Sequence, residues 1–252
     1  MLLTRIYDSL LTIAYPQACR VCGGSVEQRS CGVVCKGCWN TTRIYTGTET
    51  ICWKCGAPAP SSEFSPAIKV SPEARRGIRC HRCDAHAFTA ARAVGPYELG
   101  LRASLLESKR RPYVAPFLLN LLTGVAQRAP LNEATRIIPV PLHAARLRER
   151  GFNQAAVIAT ALAGRLHLPL DEASLERVSG SEKYRAGLDP QGRRDTVAGA
   201  FAVRHPRLVE NEQILLIDDV FTTGATVDAC AEALLASGAG NVFVLTIARG
   251  KS

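Results

Sequence analysis

Ile214-Leu215-Leu216-Ile217-Asp218-Asp219-Val220-Phe221-Thr222-Thr223-Gly224-Ala225-Thr226 is the stretch on which the reading of this chain turns. Four consecutive apolar residues mark a strand buried on both faces, as in the parallel sheet of an α/β domain, and two carboxylates follow where that strand emerges. Thr222 to Thr226 is small and hydroxyl-rich, and it leads into the apolar-periodic segment Val227 to Ser237, which predicts a helix. Such a loop offers the free N–H groups and positive dipole end of a helix start to a phosphate, with threonine hydroxyls as further donors. The carboxylates are unsuited to that phosphate. They suit sugar hydroxyls a few ångströms away, or a Mg²⁺ ion bridging ligand oxygens. The bland alternative is a buried strand ending in an Asx-type turn before a capped helix.

Working outward, the composition is that of a globular protein. With 252 residues, 47% hydrophobic and 21% charged, the chain can bury a full core and has room for two domains. A net charge of +9 points to acidic partners, and both nucleic acid and a multiply phosphorylated ligand satisfy it. The first fifteen residues place Leu2, Leu3, Ile6, Leu10 and Ile13 on one helical face; with Arg5 and Asp8 among them they make a poor signal peptide and predict a packing helix. There is no run of about eighteen apolar residues, so no membrane span is expected.

Nine of the ten cysteines lie between Cys19 and Cys83, and eight of them form four Cys-x-x-Cys pairs. That spacing suits tetrahedral Zn²⁺ and implies a reducing, cytoplasmic setting. Cys19/Cys22 and Cys35/Cys38 are separated by twelve residues, and Cys52/Cys55 and Cys80/Cys83 by twenty-four. Sequential pairing into two zinc ribbons is the simplest scheme, and an interleaved one also fits the spacing. Cys31, His81 and His86 are the substitute ligands on offer. A segment so poor in aromatics needs the metal for its folding energy.

From Ala90 the composition shifts, and strands alternate with helices. The expected order is an edge strand or hairpin at Ala91 to Leu99, a helix with Leu101, Leu105 and Leu106 that ends in the basic run Lys109-Arg110-Arg111, a helix at Phe117 to Gln127, and a short strand at Ile137 ending in prolines. Helices at His143 to Glu149 and Asn153 to Leu166, a strand near Phe201 to Val203, the Ile214 strand with its helix, and a last strand at Val242 to Ala248 follow. This alternation predicts a parallel sheet with helices on both faces, behind a cysteine module: residues 1–89 and 90–252. Cys230 reads as a small core residue. Just past the Ile137 strand, Val140, Pro141, Leu142 and His143 precede Arg146, Arg148 and Arg150, whose guanidinium forks match phosphate oxygens; a solvated basic helix face is the plain alternative.

The Ile214 to Thr226 run resembles the phosphoribosyl-pyrophosphate (PRPP) signature of type I phosphoribosyltransferases. With the cysteine pairs, Pro139-Val140-Pro141-Leu142-His143, Arg148-Glu149-Arg150-Gly151-Phe152-Asn153-Gln154 and Thr246-Ile247-Ala248-Arg249, nearly the whole chain resembles the ComF-type competence family. The resemblance implies a type I phosphoribosyltransferase fold. In it Asp218 and Asp219 hold ribose, Thr222, Thr223, Gly224, Ala225 and Thr226 hold the 5-phosphate, and residues 139–143 form a pyrophosphate loop. Residues 177–201 would be the loop that closes over PRPP, with Lys183, Arg185, Arg193 and Arg194 facing pyrophosphate. Here the chain departs from the family, with Glu182, Arg185 and Thr196 at positions where other residues are expected. The implied chemistry is Mg²⁺-assisted transfer of ribose 5-phosphate to an acceptor that the sequence does not name. The rival implication is a PRPP-sensing or zinc-ribbon adaptor that binds single-stranded DNA or a DNA-uptake protein.

Overall fold

The computed structural model describes residues 17–49, 51–58, 74, 76–83, 85–178 and 199–250. The expected N-terminal helix lies outside them, as do Lys183, Arg185, Arg193 and Arg194.

Four strands, β1 (Ala90–Pro96), β2 (Arg136–Pro139), β5 (Gln213–Phe221) and β6 (Asn241–Arg249), form one sheet in the order β1-β6-β5-β2, and every pair in it is parallel. The Ile214 run is a central strand, and Ile214, Leu215, Leu216 and Ile217 are all fully buried. That is the consequence of covering both faces. On one side lie α2 (Leu99–Ser108), α3 (Pro116–Ala126) and α5 (Gln154–Leu166), packed on Leu215, Ile217, Phe243 and Leu245. On the other lies α6 (Ala225–Ala236), packed on Ile214, Leu216, Val242 and Val244 through Val227, Cys230 and Leu234. Cys230 is thus the core residue expected of it, and burial pushes its thiol well above the ordinary range.

One expected element falls elsewhere. Phe201–Val203, labelled β4, pairs antiparallel with β3 (Leu175–Arg177) in a separate two-stranded ribbon. At three residues each, these strands are too short for periodicity to fix their partner. Among the described residues the sheet therefore has four strands, and β4, paired with β3, packs beside α6.

The cysteine module straddles the β1 edge. Tyr45 N–H donates to Val94 O at 2.8 Å, and Ala91 N–H donates to Lys54 O at 2.6 Å, so the open backbone groups of the edge strand are occupied. Gly56, at φ +70°, lies so close that a Cβ there would sit 2.5 Å from Ala91 O. Trp39, on the short helix α1 (Lys36–Thr41), enters one core with Cys19, Val34 and Cys35, while Cys52, Cys55, Cys83 and Phe88 enter the other. No helix among the described residues is long and apolar enough to cross a membrane.

Candidate functional site

A cavity of about 250 Å³ opens at the carboxyl ends of β2 and β5, the position at which open α/β sheets bind ligands. Asp218 and Asp219 from the last part of β5, Thr222 from the β5–α6 turn and Thr226 from the start of α6 line it on one side, and Val140, Pro141, Leu142, His143, Arg146 and Arg150 on the β2 side. Gly224 caps α6 at φ +84°, a backbone state that glycine adopts without strain, and it makes the sharp turn that sets Thr222 and Thr226 on the cavity wall. The Thr223 hydroxyl accepts from Ala225 N–H at 3.4 Å, and Thr223, Gly224 and Ala225 shape the loop from behind the lining.

The β2 side is braced by caps. His143 Nδ1 accepts from Ala145 N–H at 3.2 Å and starts α4 (Ala144–Arg150), which ends at Gly151 in the left-handed region. Asn153 caps α5 through Ala155 N–H at 3.0 Å, and its Nδ2 donates to Val140 O at 2.9 Å, tying the loop after β2 to that helix. Arg146 and Arg150 reach the cavity, whereas Arg148 is exposed on α4 and is not part of the lining.

Three further residues join them. Lys109 Nζ lies 3.0 Å from Asp219 Oδ2, and Gln154 Nε2 donates to the same oxygen at 3.2 Å. Arg150 Nη1 in turn donates to Gln154 Oε1. Arg177, from β3, completes the wall. Lys109 opens the basic run Lys109-Arg110-Arg111 after α2, where charge runs ordinarily mark solvated surface, and only the tertiary fold shows it beside Asp219. Asp218 Oδ1 accepts from Asp219 N–H at 2.8 Å. The cavity thus presents Lys109, Arg146, Arg150 and Arg177 against two carboxylates, a balance suited to a polyanion with hydroxyl groups near its middle.

The eight cysteines gather into two groups, Cys19/Cys22/Cys35/Cys38 and Cys52/Cys55/Cys80/Cys83, each with its ligand atoms within 4.8 Å of one another. Sequential pairing is therefore what the fold builds. Sulfur separations are 3.8 Å for Cys22–Cys35, 3.3 Å for Cys52–Cys83 and 3.6 Å for Cys55–Cys80. Four thiolates at tetrahedral zinc distances lie about 3.8 Å apart, so the donor sets fit that ion. Backbone N–H groups aim at the sulfurs, Cys35 at Cys19 and Cys80 at Cys52, each at 3.3 Å, and such donors favour the thiolate. The hydrogen bond from Cys55 lowers Cys52, while the same contact and burial raise Cys55. Cys31 stands outside both groups, its thiol 3.9 Å from Gln28 Oε1, and His81 and His86 are likewise not in them. His86 pairs instead with Asp228.

A parallel sheet with helices on both faces, paired acids and a small-residue loop at a strand's carboxyl end, and two four-cysteine groups together define an α/β protein with a ligand-sized cavity at the end of its sheet and an N-terminal module that could hold two metal ions. No protein-family model matches the chain. DNA utilization protein YhgH of Escherichia coli O157:H7 is 29% identical over 246 residues, covering 95% of this chain and 99% of that protein. Competence protein F of Haemophilus influenzae is 33% identical over 137 residues, 52% of this chain and 58% of that protein. Competence protein ComFC of Bacillus subtilis is 36% identical over 114 residues, 45% of this chain and 44% of that protein. The chain is a homologue of these ComF/YhgH DNA-utilization and competence proteins. Among solved structures, a glutamine PRPP amidotransferase from B. subtilis matches at 18% identity and TM-score 0.38, over 56% of this chain and 30% of that one. A purine phosphoribosyltransferase from Pyrococcus horikoshii matches at 14% and 0.33, over 54% and 86%.

Proposed function

We propose that this chain binds PRPP in the cavity at the end of β5 and transfers its ribose 5-phosphate to an acceptor, releasing pyrophosphate. The observation that carries the reading is the convergence on one cavity of the Asp218/Asp219 pair, the Thr222–Thr226 loop and the basic side chains from three other elements. Thr222, Thr226 and the first N–H groups of α6 would take the 5-phosphate, with Thr223, Gly224 and Ala225 setting the loop's shape. Asp218 and Asp219 would orient the ribose hydroxyls, and the Val140–His143 loop with Arg146 and Arg150 would hold pyrophosphate as its charge develops. Mg²⁺, for which two carboxylates facing a basic wall are a fitting seat, would supply charge neutralisation on the pyrophosphate oxygens. Lys183, Arg185, Arg193 and Arg194 stay in the proposal as the closing side, and residues 1–89 and 90–252 as its two domains. A cytoplasmic location, zinc as the resident metal and a link to DNA uptake belong to the same reading, the last supported by relatives named for DNA utilization and competence.

Lys109 has a definite part in it. In the free protein it neutralises Asp219, and on binding it turns to the phosphate oxygens while Asp219 takes the ribose. Lys109→Met is expected to weaken PRPP about tenfold, the worth of one charge-assisted contact. Its melting temperature should hardly move, because a one-third-exposed lysine contributes little to stability through an ion pair. Calorimetric titration and thermal melting of the same sample check both halves.

The reaction itself is tested by following pyrophosphate release from Mg²⁺–PRPP across a panel of nucleobase, amine and ammonia acceptors. Acceptor-dependent release that Asp218→Asn abolishes supports transfer. PRPP binding without release for any acceptor, combined with salt-sensitive single-stranded DNA binding, would favour the adaptor reading instead.

A further inference from the structure

The segment leaving the second cysteine group runs directly under the proposed phosphate loop. His86 N–H donates to Cys83 O at 3.2 Å, and three residues after that cysteine the His86 ring is buried against α6. Its Nδ1 lies 2.8 Å from Asp228 Oδ2, and Ala87 N–H donates to Asp228 Oδ1 at 2.6 Å, so both carboxylate oxygens are taken. The imidazole also closes on Gly224: a Cβ there would sit 3.3 Å from His86 Nε2 and 2.8 Å from Phe221 Cζ. His86 stacks on Phe88 at 4.9 Å, and Phe88 meets Phe221 edge-on at 5.9 Å. The same Phe221 ring lies 4.6 Å under the Arg249 guanidinium, whose Nη1 donates to Cys55 O at 2.6 Å. Two chains of contact thus run from the second cysteine group to the two ends of the loop, one through His86 and Asp228, the other through Arg249 and Phe221.

We propose that the second four-cysteine group is the support of the phosphate-binding loop, with His86 and Arg249 as positioning residues; the inference rests on the PRPP reading above. The physical need is plain at Asp228. It sits in the first turn of α6, where a free carboxylate would repel the incoming phosphate and compete for the same positive end of the helix. Two donors from the cysteine module hold that carboxylate away from the anion and fix the first turn at the same time. Arg249 fixes the other end by clamping Phe221, the residue before Thr222, to the backbone of Cys55. The closing Ala248-Arg249 of the sheet, which takes no part in the cavity lining, gains its role here.

The test uses the full metal-loaded chain and PRPP with Mg²⁺ as the probe. His86→Ala is expected to weaken binding about tenfold, and His86→Asn, which can still present a donor at the Nδ1 position, to recover most of the loss. His86→Ala combined with Asp228→Ala should bind no worse than His86→Ala alone, because the pair acts as a unit. Hydrogen exchange of the 222–228 amides should quicken in His86→Ala with metal content unchanged. Leu122→Ala, a core truncation on the opposite face of the sheet, should lower the melting temperature without moving the affinity. A His86→Ala chain that binds within about twofold of wild type overturns the inference. So does a loss that His86→Asn leaves unrepaired or that Leu122→Ala reproduces. A folded wild type that binds no PRPP instead overturns the reading on which it rests.

Discussion

An Asp218→Asn/Asp219→Asn variant is expected to lose Mg²⁺-linked PRPP binding by a hundredfold or more while keeping its fold. Each carboxylate is assigned charge-assisted contacts to ribose or metal, worth roughly 1.5–3 kcal/mol apiece, and about 2.8 kcal/mol already corresponds to a hundredfold. The substitution keeps shape and removes charge. Gln154 retains an oxygen at position 219 to donate to, and the buried apolar run Ile214–Ile217 that anchors β5 is untouched. Asp219 loses its contact with a partly exposed lysine, which costs little. The melting temperature should therefore stay within about 4 °C of wild type. A variant that binds as well as wild type would remove the acids from the site, whatever its stability.

Stripping the metal is expected to act in the opposite way, through the fold. Cys19 and Cys35 are built into one core beside the buried Trp39, and Cys52, Cys55 and Cys83 into the other beside the fully buried Phe88. Structural zinc sites contribute about 10–16 kcal/mol of binding free energy to folding, against a net stability of about 5–15 kcal/mol for a whole domain. Chelation at neutral pH should then release about two zinc ions per chain, one for each tetrahedral four-cysteine set, and collapse the melting transition. Cys52→Ser should lower the metal content by one ion and leave the first group loaded. Elemental analysis with calorimetry decides it: a metal-free chain that melts like the loaded one would make the cysteine groups incidental to the fold.

What could be read from residues alone was what is local. The Ile214–Ile217 run and the turn at Gly224 announce a buried strand and a helix start within thirteen residues, and the fold has both, with the two acids after the run on a cavity wall. The Cys-x-x-Cys pairs are equally local, and only their partnership needed the fold to decide. What escaped were contacts that sequence separates. Lys109 opens a basic run at a helix end, and nothing beside it in sequence hints at Asp219. His86 looked like a spare metal ligand because it follows two cysteine pairs, whereas its partner Asp228 is 142 positions away. β3 and the pairing of β4 were illegible for a different reason: three residues carry no period, and an antiparallel ribbon beside a parallel sheet leaves no mark in composition.

The measurement that bears most directly on the central claim is calorimetric titration of PRPP into the zinc-loaded chain, with and without Mg²⁺. The account predicts one site per chain, with affinity that rises on adding Mg²⁺ and is competed by pyrophosphate. A folded, zinc-replete protein that takes up no PRPP under either condition would contradict it.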